Sequence, residues 1–439
     1  MTAIALVMTL AILDGVIANV ALPTIARDLH TDPAASIWVV NAYQAAILAA
    51  LLPLASLGEI VGYRRVYQAG VALFTLASLG CALARDMPTL ILVRVIQGLG
   101  AAAIMSMNST IIRFTYPSRL LGSGLGLNAM VVALASVAGP SIASAILAVA
   151  PWPWLFAINV PLGVVSFLVG MVSLPNPPGS SRRFDLVSAA LNVLAFTPMI
   201  LGLEGLIEGG HWLLTTVELG VGLFSGTALI VRSLTRSNPL VPIDLMRIPV
   251  FAMSIATSTA AFTAQNFAFV ALPFLLEYAF GRSAVETGLL MTPWSILFGL
   301  VSPIAGRLTD RYPGAVLGSA GLGVMGLGLA LLAVLPSHPS AFDICWRMAL
   351  GGVGFALFQQ PNNRALMTSG PRERAGGAGG MLATARLTGQ TAGATLVALL
   401  FHASGNSPNP KILWVAAGGA LVAAAVSWMK PHEAGRPTG

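Results

Sequence analysis

Apolar runs of helix length recur from one end of this chain to the other, separated by short polar connectors. A helix needs about 20 mostly apolar residues to cross a bilayer. Read with a window of that length, the sequence predicts spans near 2–23, 34–57, 67–84, 88–112, 120–148, 155–174, 186–207, 213–231, 250–276, 286–305, 315–335, 342–363, 378–402 and 412–429, fourteen in all. The connectors group them as six, two and six. NPPGSSRRFD (176–185) marks the first break and SLTRSNPLVPIDLMRIP (233–249) the second. The expected divisions are therefore a six-helix block over 1–175, a linker with an inserted helix pair and an interfacial segment over 176–248, and a second six-helix block with a short tail over 249–439. In the interfacial segment, Leu240, Val241, Ile243, Leu245 and Met246 are expected among lipid headgroups while Asp244 and Arg247 face water. The first span is read as a retained helix rather than a cleaved signal, because no basic stretch precedes it and Asp14 interrupts it.

Composition agrees with a polytopic, all-helical membrane protein: 56% of the 439 residues are hydrophobic and 9% charged, against about one quarter charged in soluble domains. The two cysteines, Cys81 and Cys345, lie in separate apolar runs and read as packing residues. The net charge of +7 is carried largely by arginines in alternate connectors, among them Arg64, Arg65, Arg113, Arg119, Arg182, Arg183, Arg307, Arg311, Arg372 and Arg374. That bias places these loops and both termini on the cytoplasmic side and needs no nucleic-acid partner.

Charged side chains inside spans are the informative exceptions, since each costs about 3 to more than 10 kcal/mol at bilayer depth and needs a cavity or a partner. Asp14, in LDGVIANVALP, is read as a proton-coupling carboxylate or, in the plainer reading, a structural acid bonded to a neighbouring helix. Arg94 cannot discharge and must find an acceptor; it is read either as a coupling group that senses a nearby carboxylate or as a staple to backbone carbonyls. Asn19 and Glu277 are candidate lining of a substrate cavity. Arg347, Arg386 and Glu204 are weaker candidates. The loops ASLGEIVGYRR (55–65) and GRLTDRYPG (306–314) share an acid four residues after a small residue, the trace of an internal repeat.

These motifs, in order and at the right spans, resemble the major facilitator superfamily and within it the fourteen-span branch of drug:proton antiporters. LDGVIANVALP is similar to that branch's first-helix signature, ILVRVIQGLGAA (91–102) fits the Arg-x-x-Gln-Gly pattern, ASVAGPSIAS (135–144) resembles the antiporter motif around Gly139 and Pro140, and WPWLFAINVPLG (152–163) and FQQPNN (358–363) also match. The resemblance implies two six-helix bundles with an inserted pair, rocking about a midplane cavity, and it adds Gln97, three residues after Arg94, to the candidate lining of that cavity. It implies a cytoplasmic latch formed from Glu59, Gly62, Arg64 and Arg65, supplemented by Asp310 and Arg311. The departures are Ala135 for the usual first glycine, Glu59 for an aspartate and Ile60 for an arginine.

No phosphate-binding loop or paired-histidine spacing occurs in the sequence, so an enzyme or an ATP-driven pump within this chain is not expected. The reading is a proton-driven exporter of lipophilic, cationic or neutral, drugs or toxic compounds. It uses no cofactor beyond the proton gradient and resides as a monomer in the cytoplasmic membrane. Its partners are a small-molecule substrate, protons and the bilayer. The alternatives are a metabolite or amino-acid-like exporter with different coupling, and a membrane sensor without turnover.

Overall fold

The computed structural model describes residues 2–115, 131, 135, 138–175, 184–208, 212–235, 243–309, 311–369, 375–403 and 409–430. Every element among them is a helix, which is what a chain of apolar runs must adopt where no water is available to bond the backbone. Twelve helices among the described residues are long and apolar enough to cross a membrane, so this is a multi-pass membrane protein. Two of the fourteen expected spans are not among these twelve. Most of the segment at 120–148 lies outside the described residues, and helix 375–403, although long, is diluted by Arg386, Gln390, His402 and several threonines.

The chain divides into two compact units, residues 1–240 with 398–407 and residues 241–397 with 408–439. The first contains α1 (Thr2–Asp28), the short α2 (Pro33–Ser36), α3 (Trp38–Val61), α4 (Tyr63–Leu83), α5 (Met87–Thr115), α6 (Ala138–Val149), the short α7 (Pro153–Ala157), α8 (Asn159–Ser173), α9 (Leu186–Glu208) and α10 (Trp212–Thr235). Helices α3 and α4 both lie along α5, and α8 packs on α1 and α4. Small residues permit this: a Cβ on Gly98 of α5 would sit 2.5 Å from the Tyr43 carbonyl oxygen of α3. Helices α9 and α10 pair with each other, and α9 rests on α3. At one end of that pair Arg232 Nη2 meets Asp185 Oδ1 at 2.9 Å. Burial works against the Asp185 carboxylate, but bonds from Arg232 and Ser188 outweigh it and hold its pKa at about 2.

The second unit contains α11 (Pro249–Phe274), which runs into a π-helical turn at Leu275–Ala279, then α12 (Ala284–Leu308), α13 (Gly314–Ala333), α14 (Ala341–Thr368), α15 (Ala375–Ala403) up to Val397, and α16 (Leu413–Trp428). Capping boxes start α12 (Ser283 with Glu286) and α14 (Ser340 with Asp343). Phe262, Phe298 and Phe358 surround Phe355 in edge-to-face and tilted contacts, an aromatic cluster within this unit.

The turn Ile243–Arg247 leaves Asp244 and Arg247 exposed, and Leu245 is buried against Phe251, Ile255 and Leu366. Lys430, two residues beyond α16, is only 6% exposed. Its Nζ donates to Asn362 Oδ1 at 2.7 Å, and burial lowers its pKa to about 8.

Candidate functional site

The polar centre of the first unit forms around Asp14, 2% exposed in the middle of α1. Its carboxylate accepts from three donors on two helices, α5 and α8. Arg94 Nη1 reaches Oδ2 at 2.5 Å, Gln97 Nε2 reaches Oδ1 at 2.9 Å, and Asn159 Nδ2 reaches the same oxygen at 2.7 Å. Arg94 and Gln97 stand three apart on α5 and so share a face. Asn159 is the first residue of α8, placed there by the short α7 that turns the chain into the helix.

The guanidinium is fully buried and tied down from several sides. Arg94 Nε donates to the Val39 carbonyl of α3 at 2.8 Å and Nη1 also donates to Gln97 Oε1 at 2.7 Å. Its plane lies over the Tyr43 ring, 4.0 Å from the ring centre, with Phe156 of α7 at 5.5 Å. Gln97 continues the network into α4, donating to Ser78 Oγ at 2.9 Å and accepting from Cys81 Sγ at 3.4 Å. Arg94 Nη2 has no hydrogen-bond partner among the described residues. Five helices thus converge on one buried ion pair of zero net charge. Such an arrangement survives in a low-dielectric interior only when geometry and extra hydrogen bonds offset the loss of hydration.

Of the residues singled out from sequence, Asp14, Arg94 and Gln97 therefore come together. Asn19 is buried one turn along α1, with Oδ1 lacking a partner among the described residues. Gly139 and Pro140 of α6 are buried beside α1, where a Cβ on Gly139 would run into the Val16 side chain. Glu277 belongs to the second unit, 7% exposed within the π-helical turn, deeper than a residue at the water boundary. In the loop 55–65, Gly62 has φ +111° and ends α3, and Arg64 Nη2 donates to the Met171 carbonyl. No ion pair joins Glu59 to Arg64 or Arg65 among the described residues. Asp310 lies outside the described residues, and Arg311 is exposed. Arg347 of α14 donates to the Leu331 carbonyl at 3.1 Å and lies over Trp346, a staple within the second unit.

Sequence reasoning did not single out Asn159, Ser78 or Tyr43. Asn159 could have been found as the one amide in the otherwise apolar stretch LFAINVPLG. Among the described residues no group of His, Cys, Asp and Glu is placed to hold a metal ion.

Residues 4–262 and 253–439 match the family model of the Major Facilitator Superfamily. The chain is similar to "Uncharacterized transporter YebQ" of Escherichia coli K12, 51% identical over 427 residues covering 96% of this chain and 93% of that protein. It is 29% identical to "Riboflavin transporter RibZ" of Clostridioides difficile over 85% of this chain and 81% of that one. It is 32% identical to "Multidrug resistance protein Stp" of Mycobacterium tuberculosis over 87% and 71%. Among solved structures, a POT family transporter crystallised with 5-aminolevulinic acid superposes with a TM-score of 0.76 at 14% identity, covering 97% of this chain and 94% of that one, which speaks to the fold.

Proposed function

Because this chain belongs to the Major Facilitator Superfamily and is a transporter rather than an enzyme, we propose that it exports small lipophilic compounds, cations among them, in exchange for protons, with Asp14 as the proton-carrying group. The observation that carries this reading is the buried contact of Asp14 with Arg94, Gln97 and Asn159. All three neighbours offer protons to the carboxylate. A proton arriving on Oδ2 turns an acceptor into a donor facing a guanidinium that can only donate. The Asp14–Arg94 contact must then open, and since Arg94 also holds the Val39 carbonyl and the Tyr43 ring, opening it loosens α1 and α3 from α5. Protonation and helix arrangement become one event. Alternating access of this kind couples a proton to cargo without any nucleotide.

Fourteen spans with both termini in the cytoplasm, Asn19 and Gln97 beside the carboxylate, and Gly139 and Pro140 as a smooth, bent contact for α1 complete the reading. The relative named as a multidrug resistance protein supports an exporter of drug-like compounds. The relative named as a riboflavin transporter favours a second reading, a planar metabolite as cargo.

Reconstitution into liposomes with an imposed pH gradient tests both. Wild type should move fluorescent lipophilic cations against their gradient, and Asp14→Asn should bind them without gradient-driven movement. Equal transport by the two proteins removes Asp14 from the proton path. Movement of riboflavin with none of the cations selects the second reading.

A further inference from the structure

Helix α3 contains Pro53. Proline has no N–H, so the carbonyl four residues back loses its helical donor, and here that carbonyl belongs to Ala49. In a membrane interior an unpaired carbonyl is costly, and its partner can be sought on a neighbouring helix. Asn192 of α9 supplies it: Nδ2 donates to the Ala49 oxygen at 2.8 Å. Asn192 is fully buried, on a helix whose other faces are largely apolar and exposed, with Leu186, Val187, Val193, Leu194 and Leu201 turned outward. A leucine would suit such a helix better in every respect but this bond.

The break has consequences for the site. The part of α3 before Pro53 carries the Val39 carbonyl and the Tyr43 ring, which together seat Arg94. Proline bends a helix, so the course of α3 at residue 53 sets where that seat lies. We propose that Asn192 is a positioning residue: it caps the carbonyl that Pro53 frees and so lets the α9–α10 pair fix the bend of α3 that holds Arg94. The importance of that seat rests on the proposed function; the bond and its tests need no substrate.

The test is a double-mutant cycle between Asn192→Leu and Pro53→Ala in the full-length protein. Asn192→Leu strands a buried carbonyl and should lower the thermal midpoint in detergent by about 2–8 °C. Pro53→Ala restores an N–H to Ala49, so in that background Asn192→Leu should cost little. The native thiol in the site gives a second readout. Cys81 bonds Gln97 and is fully buried, so in a Cys345→Ser background its N-ethylmaleimide labelling reports opening around Arg94. Asn192→Leu should speed that labelling about two- to tenfold, and Pro53→Ala should cancel the increase. Should Pro53→Ala fail to fold, side-chain chemistry decides: Asn192→Gln retains a donor and should keep slow labelling, whereas Asn192→Asp and Asn192→Leu should not. Equal losses from Asn192→Leu with and without Pro53, or slow labelling in all three variants, would overturn the proposal.

Discussion

The charge balance at Asp14 and Arg94 can be measured as a coupling. Asp14→Asn keeps the shape and leaves the fully buried Arg94 guanidinium without a counter-charge. Breaking one side of a buried pair costs about 3–5 kcal/mol. For a unit of this size each kcal/mol moves the midpoint by about 2–4 °C, so the variant should melt about 6–20 °C lower. Arg94→Met should cost less, because Asp14 keeps two amide donors, Gln97 and Asn159. It can also take up a proton, which the guanidinium cannot shed. Combining both changes removes both charges and should recover at least about 2 kcal/mol relative to the sum of the singles. The assay is thermal unfolding of detergent-purified protein followed by tryptophan fluorescence, with salt held constant. Strictly additive losses, or an Asp14→Asn protein that melts with wild type, would refute the claim that these two side chains neutralise one another inside the protein.

Other outcomes follow from particular contacts. Lys430 has a folded pKa of about 8 against an ordinary value of 10.5; between those values the unfolded chain holds a proton the folded chain has released, so stability rises with pH across that window. Lys430→Met should raise the midpoint at pH 7 and flatten that rise in a pH series from 7 to 10; an unchanged slope would assign it elsewhere. Gly139→Ala drives a methyl into Val16 and should cost about 1–3 kcal/mol, which Val16→Ala should largely restore when the two are melted together. Asn159→Leu removes one donor from Asp14 and should cost about 1.5–3 kcal/mol, with a much smaller effect once Asp14 is already Asn.

Depth was legible in the sequence; pairing was not. Asp14 and Arg94 stood out because a charge inside an apolar run is expensive whatever surrounds it, and Gln97 followed from sharing a helix face with Arg94. Asn159 carries no charge; it stands out only as the one amide in its apolar stretch, and its acceptor lies 145 residues away, so no local pattern shows what it bonds. The same blindness to distant partners hides the burial of Lys430, whose acceptor, Asn362, lies 68 residues away. Among the described residues twelve helices qualify as spans, and polarity is what keeps α15 from being counted with them. Helix α15 spends its length on Arg386, threonines and glycines, and its Gly389 and Gly393 fit closely against α11. The burial of Leu245 against Phe251, Ile255 and Leu366 was likewise not legible, because a window of hydropathy cannot tell one apolar neighbour from another.

The seat of Arg94 is flat. Its guanidinium lies 4.0 Å above the Tyr43 ring while reaching Val39, Gln97 and Asp14 along its edges. An ammonium is round, strongly hydrated and unable to fork. Lysine here would preserve electroneutrality yet stand off the aromatic surface and forfeit all but one or two of those edges. What the slot selects is a plane that happens to be cationic, so a swap that looks silent on a charge map should prove one of the most disruptive in the molecule.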